Sequence, residues 1–438
     1  MGTDRNNMQR KPSTLFNVLV LSLTLVWLNS ALFAETQFSF ELAKDDVLIV
    51  RKEQEILIGQ KGDGREERNR IVLKVIDQNN SENHNKANND LESSNNIPSV
   101  TTNTTQDNDT GATMEGIFST YFRMRNSRSA FQRDKDYFSQ FKILKNGQYI
   151  VPDKYIMPNL RSLPSFPSTQ LQVGQIWQAE GMETIDIGDL KIKVPLMVRY
   201  KYIGPETVKD YYGKEQNAHK IVFVYELNHQ VVPGNGPISL IQGRSTDEMW
   251  FSTENGIPVF DVQTIVYKFT LKNRQTSESA YRIKSWYEKI RRIAPEEKEA
   301  LTEQIKKQVE GHYSKNLQVR ETDQGISLDL NNILFDVDSD KLRPEAQDTL
   351  NKVKDILAQH SNREIRIQGH TDNTGGKNYN IDLSTRRAKS VLDYLANQGL
   401  NTENMSYKGY GETKPVAPNI SEEGRAKNRR VEILIVTE

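Results

Sequence analysis

Apolar residues alternate strictly across positions 191–202: Ile192, Val194, Leu196, Val198, Tyr200 and Tyr202. A period of two places all six on one face of a strand. Pro195 falls on the opposite face and removes a ladder donor, so this strand is expected at a sheet edge or a bulge. Shorter apolar runs predict further strands at 47–50, 56–58, 220–227, 248–252 and 262–271. Pro233-Gly234-Asn235-Gly236 and Asn255-Gly256 are turn signals between them. These features predict a mainly-β N-terminal domain over 35–276, antiparallel and barrel-like or half-barrel, with the Pro-rich stretch 155–167 along its surface or edge. Residues 78–113 are dominated by Asn, Ser, Thr and Asp. Such a segment buries too little apolar surface to offset its ordering entropy, so a disordered insertion is expected there.

The period changes after 276. Tyr281, Trp286, Ile290 and Ile293 fall at roughly helical spacing, and Pro295 followed by Glu296 and Glu297 suits a helix start. A helical connector over 277–318 is predicted, its first helix equally compatible with the core of the β domain. From 319 to 438 strand and helix patterns alternate. Ile326, Leu328 and Leu330 mark a strand, and Pro344 opens a helix with Leu350, Val353 and Leu357 on one face. Ile365 and Ile367 mark a second strand, and Ser384 leads into a helix with Ala388, Val391 and Leu395. Strands at 405–410 and 431–436 complete a β-α-β-α-β-β order, an α+β sheet with helices on one face.

The first 34 residues carry Arg5, Arg10 and Lys11 ahead of an apolar stretch, 15–34. That is the shape of a secretory signal peptide, or of an uncleaved signal anchor giving membrane association through 15–34. Export of the remainder is expected either way. The chain of 438 residues has no net formal charge and no cysteine. The charge balance gives no field for nucleic acid. The missing cysteine excludes disulfides, thiolate metal sites, thiol nucleophiles and N-terminal lipidation of the lipoprotein type. The β region lacks the repeated ten-residue apolar lipid faces of an outer-membrane barrel, so a water-facing β domain is favoured. Its histidines, His219 and His229, stand alone, with solvated surface as the expectation.

Five blocks near the C-terminus stand in a distinctive order: Leu334-Phe335-Asp336 with Ser339 and Leu342; Gly369-His370-Thr371-Asp372-Asn373-Thr374-Gly375; Asn380 and Leu383-Ser384 with Arg387-Ala388; Gly409-Tyr410-Gly411; and Gly424-Arg425 with Asn428-Arg429-Arg430-Val431-Glu432. Together, over roughly 326–438, they resemble the OmpA-like C-terminal domain family. The resemblance implies non-covalent binding of peptidoglycan stem peptides. It assigns Asp372 to the amino group of the stem's diamino acid and Arg387 to its carboxylate. It sets Phe335 as a wall of the cleft, Asp338 beside it, and Asn380 and Arg429 on the stem's amide and carboxylate groups. Asp338 stands where some relatives have asparagine, which adds a second carboxylate. The chemistry is apt: a zwitterionic ligand end needs one fixed negative and one fixed positive group, and the arginine fork suits a carboxylate.

Each residue also has a plainer role open to it. Asp372 suits a cap of the following turn, Arg386-Arg387 a solvated helix face, Arg429 and Arg430 scaffold, and His370 a packed histidine. No catalytic residues, metal ligands or cofactors are expected. The function expected is that of a non-enzymatic exported protein linking envelope to wall, in the periplasm or cell envelope of a diderm bacterium, with outer-membrane association open. An envelope scaffold whose β domain does the work behind a degenerate pocket is the main alternative. A stator-like ion-driven complex is disfavoured because 15–34 contains no carboxylate. A wall enzyme is disfavoured because no nucleophile or acid–base pair is grouped.

Overall fold

The computed structural model describes residues 35–437 apart from 59–64, 80–109, 125–130, 188–189, 233–235, 332–333, 337 and 362. The N-terminal segment 1–34 and most of the Asn-rich stretch lie outside the described residues. The edges of that stretch are strand: β2 (Arg65–Asn79) and β3 (Gly111–Met124) pair with each other through Gln78–Ala112 and Asn79–Gly111.

The β region is one antiparallel sheet curled on itself. Its strands are β1 (Asp46–Ile58), β2, β3, β4 (Phe131–Leu144), β5 (Tyr149–Ile150), β6 (Leu160–Arg161), β7 (Ile176–Ile187), β8 (Leu190–Lys209), β9 (Glu215–Gln230), β10 (Ile238–Ser252), β11 (Ile257–Leu271) and β12 (Thr276–Arg291). Pairing runs β5-β4-β3-β2-β1 and then from β1 to β12, β11, β10, β9, β8, β7 and β6. Strand β8 alternates as its sequence predicts, with Ile192 to Tyr202 buried inside and Lys191, Lys193, Arg199 and Lys201 exposed outside. Its outer face is thus charged. Pro195 lies opposite Met182 of β7, while β9 joins β8 only from Arg199 onward. The proline therefore occupies a locally one-sided stretch of strand, where its missing donor costs no ladder bond.

The stretch 155–167 bridges the gap between β4 and β7. Ser139 Oγ donates to the Met157 carbonyl (2.5 Å) and Thr184 N to the Asn159 carbonyl (2.7 Å). Phe38, Phe40, Phe166 and Phe251 pack as an aromatic group inside the same core. His219 is half-buried rather than solvated, because the Tyr202 hydroxyl lies 2.6 Å from its Nδ1.

The predicted connector 277–318 is only partly helical. Its first half is strand β12, which pairs with both β1 and β11 and extends the β region to Arg291. Trp286 and Ile290 face outward against Phe260 and the small Val47–Ile49–Val72 cluster, while Tyr281 and Tyr287 face the core. Apolar residues on both faces mimic a helical spacing. Helix α1 (Pro295–Val309) does open at the proline, with Glu296 and Glu297 in its first turn.

The C-terminal unit has its own core. Its elements are β13 (Leu317–Thr322), β14 (Gly325–Asn331), α2 (Ala346–Ala358), β15 (Ile365–Gly369), α3 (Lys377–Asn397), β16 (Met405–Gly409), α4 (Glu422–Asn428) and β17 (Arg430–Val436). Strand β13 and helix α4 are additions to the predicted order. Pairing runs β13-β14-β17-β15-β16, with only β15–β16 parallel. Helix α3 starts seven residues before Ser384. That serine caps nothing: its Oγ donates to the Ile381 carbonyl (2.9 Å) and accepts from Gly411 N (2.9 Å).

Helices α1, α2 and α3 contribute to the apolar core of this sheet. Alternate strand residues bear charges instead. The buried Asp329 and Glu432 both bind the exposed Arg320 (2.5 Å and 2.8 Å), and buried Arg430 also binds Glu432. Glu364 accepts two bonds from Arg366, both 2.9 Å, one from Tyr121 on β3 (3.2 Å) and an ion pair from Arg70 on β2. Lys408 donates to the Asp134 carbonyl (2.6 Å), and β16 pairs in parallel with the start of β4. The two units meet along this seam.

Candidate functional site

The site gathers at the end of β15 and along one face of α3. After Gly369 the chain leaves the sheet through His370 and Thr371, both buried. Asp372 follows. Its Oδ1 accepts from Thr374 N (2.9 Å), so it does cap the turn. Its Oδ2 takes Arg429 Nη1 at 2.7 Å. Burial works to raise this carboxyl's pKa, but the bonds from Arg429 and Thr374 outweigh it and hold it below the usual carboxylate range. Asp372 is therefore an anion at neutral pH.

Helical spacing carries Asn380, Leu383, Ser384 and Arg387 to one buried face of α3. Three glycines let that face sit close. A Cβ on Gly369 would lie 2.0 Å from the Ser384 carbonyl oxygen, one on Gly409 2.4 Å from Thr385 N, and one on Gly411 3.1 Å from Ile381 N. Arg387 Nε donates to the Ser339 carbonyl (2.8 Å) and Nη2 to that of Asp336 (3.1 Å). Its guanidinium lies 5.3 Å from the Phe335 ring centroid. No carboxylate among the described residues pairs with it directly. Burial first, and then Arg429, lower its pKa, with Asp372, Tyr379 and Asp338 acting in the opposite sense. It remains a cation at any ordinary pH.

A small cleft lined by Phe335, Arg387 and Arg429 joins these groups. Arg429 also binds Glu422 (2.6 Å), and its Nε is buried without a partner. Asn380 Nδ2 donates to Glu412 (2.6 Å) and weakly to the Asp372 carbonyl (3.4 Å), which leaves its Oδ1 as the free acceptor. Asp338 is exposed at φ 63°, a left-handed conformation that Asp and Asn tolerate better than other side chains, and it accepts from the Tyr379 hydroxyl.

Residues 334–429 match the sequence profile of the OmpA family. This segment is an OmpA-family domain. It is 44% identical over 103 residues to the peptidoglycan-binding protein ArfA of Mycobacterium tuberculosis, covering 24% of this chain and 32% of that protein. It is 40% identical over 106 residues to the outer-membrane lipoprotein YfiB of Pseudomonas aeruginosa, covering 24% of this chain and 63% of that protein. Against the solved peptidoglycan-associated lipoprotein from Burkholderia pseudomallei the identity is 34%, with a TM-score of 0.23 and coverage of 24% of this chain and 88% of that one. The chain spans less than two thirds of the length of either curated relative.

Of the six predicted positions in the OmpA-family domain, Phe335, Arg387 and Arg429 line the cleft, Asp372 bonds Arg429, Asn380 reaches the Asp372 carbonyl, and Asp338 lies apart on the Tyr379 hydroxyl. Asp372 ion-pairs with Arg429, and Arg387 is held by backbone carbonyls. Glu412, Glu422 and Tyr379 were not foreseen. Their contacts reach across 32, 7 and 41 residues to Asn380, Arg429 and Asp338. Arg386, by contrast, is the solvated member of its pair and binds Asp340 (3.0 Å) and Asp382. His370 is wholly packed. It stacks on Tyr410 at 5.5 Å, and burial, then Arg430, drive its pKa far down, so it stays neutral. No cluster of metal-binding side chains occurs among the described residues, and none of their helices is long and apolar enough to cross a membrane.

Proposed function

We propose that the OmpA-family domain binds peptidoglycan non-covalently, gripping the zwitterionic end of a stem-peptide diamino acid, and that it ties an envelope protein of a diderm bacterium to its wall. Asp372 takes the ligand's ammonium group and Arg387 its carboxylate. Phe335 walls the cleft, Arg429 and the Asn380 carbonyl oxygen add bonds to the stem's carboxylate and amide groups, and Asp338 stands at the rim with Tyr379. The supporting observation is the state of Arg387: a buried cation oriented by two carbonyls, with no carboxylate of its own. Its orientation is set before a ligand arrives, so little ordering entropy opposes binding. ArfA, described as peptidoglycan-binding, supports the choice of polymer. The bond-making residues are those of a receptor rather than of a hydrolase. One site is weak, and many sites along one polymer supply retention.

The test is co-sedimentation of the exported protein with insoluble peptidoglycan. Asp372→Ala and Arg387→Ala are each expected to weaken binding roughly ten- to hundredfold, the loss of one shielded charge-assisted contact. Wild type and both variants pelleting equally would reject the assignment. Because the Asp372 pKa is depressed, binding is expected to persist as pH falls through about 4, where a free aspartate protonates, and to fail only below that. If instead the protein stays in the supernatant while the isolated β region still captures envelope partners, the alternative of a β-domain scaffold stands.

A further inference from the structure

Between the outer face of the curled β region and the C-terminal sheet lies a cavity of about 500 Å3. That is the size of a small-molecule site, placed where two units meet. Five arginines line it. Arg51 is committed to Glu288 (2.8 Å) and Arg70 to Glu364. The other three, Arg291, Arg292 and Arg363, have no ion pair with any described carboxylate. They come from the end of β12, the link into α1 and the residues before β15. Once the committed pairs are set aside, the one other charged residue lining the cavity is Glu297, whose charge already complements the start of α1. The remaining wall is mostly aliphatic: Ile49, Ile290, Ile293, Ala294 and Val436, with Thr437.

We infer that this cavity binds a phosphate-bearing ligand with an apolar portion. A single carboxylate occupies one arginine fork. A phosphate monoester carries up to two charges and three acceptor oxygens, enough for several forks at once. The aliphatic wall accepts the apolar portion, and the arginines hold its charged end toward the rim, where Arg291 and Arg292 are exposed. A lipid headgroup and a soluble phosphate ester share this chemistry. The site is separate from the Asp372 cleft and does not depend on wall binding.

The experiment is titration calorimetry of the full-length protein with three probes: inorganic phosphate, monomeric dihexanoyl phosphatidic acid, and dihexanoyl phosphatidylcholine as a zwitterionic control. The comparison protein is the triple variant R291Q/R292Q/R363Q, which breaks no ion pair of the fold and is expected to keep the wild-type unfolding midpoint. Phosphate and phosphatidic acid should bind wild type, more weakly as salt rises. The variant should lose roughly tenfold or more for each arginine that contacts phosphate. Phosphatidic acid should bind much more tightly than phosphate, and equal affinities would overturn the apolar part of the inference. Flotation of the protein with phosphatidic acid vesicles identifies a lipid headgroup, and tight binding of the monomeric lipid without flotation identifies a soluble ester. Wild type binding neither anion, or the variant binding both undiminished, would overturn the inference.

Discussion

Glu364→Ala is expected to destabilise the protein by about 3–5 kcal/mol, the usual result of removing one partner of a buried ion pair. Its carboxylate is the anion between Arg366 and Arg70, both largely buried, with the Tyr121 hydroxyl as a further donor. Removal leaves two largely buried guanidinium groups without their counter-charge. Burial alone would raise the carboxyl's pKa, but Arg366 and Arg70 overcome it and depress the value far below the usual range. The sign of the pH effect follows. A carboxyl with a depressed folded pKa adds stability that is fully present above its unfolded value of about 4.3 and is lost as pH falls toward the folded value. Thermal unfolding should therefore show a gap between wild type and Glu364→Ala that is wide at pH 7 and narrows below about pH 4. Glu364→Gln keeps the shape and removes the charge. A Gln variant as stable as wild type at pH 7 would show that the ions contribute nothing net.

Gly369→Ala is expected to cost roughly 3 kcal/mol or more, at the upper end of overpacking effects. The added methyl would sit 2.0 Å from the backbone oxygen of Ser384. Backbone cannot rotate away as a side chain can, so α3 must lift from the sheet. Asn380 and Arg387 ride on that helix, so wall binding should fall together with the unfolding midpoint. Gly376→Ala is the control. It lies in open space at φ −79°, and its loss as a helix cap should cost no more than about 1 kcal/mol. Equal midpoints for the two variants would mean that close seating of α3 is not what the glycine provides.

The parts legible in sequence are those where one physical requirement dominates. Strand β8 buries one face and wets the other, so its alternation was plain. The cleft residues stand in blocks tied to turns and glycines. Strand β12 was misread for the opposite reason. Its outward Trp286 and Ile290 are apolar because other side chains cover them, while inward Ser285 is polar and Tyr287 carries a hydroxyl that bonds Asp261 (2.6 Å). Polar inside and apolar outside erased the period. Helix α4 was missed because seven residues give too few turns for a pattern, although Ser421 caps it through Gly424 N (3.1 Å). The Asp372–Arg429 bond spans 57 residues, and no local spacing encodes it.

The parallel pairing of β16 with β4 has a mechanical meaning. Ser406–Phe131 and Tyr407–Gln132 stitch the C-terminal sheet edge onto the ladder of the β region. A pull on the C-terminal domain along these strands loads the two pairings side by side in shear, with the Lys408 and Glu364 bonds beside them, instead of unzipping them one at a time. The α1 segment between the units then lies in parallel with that seam and is spared the tension until the seam slips.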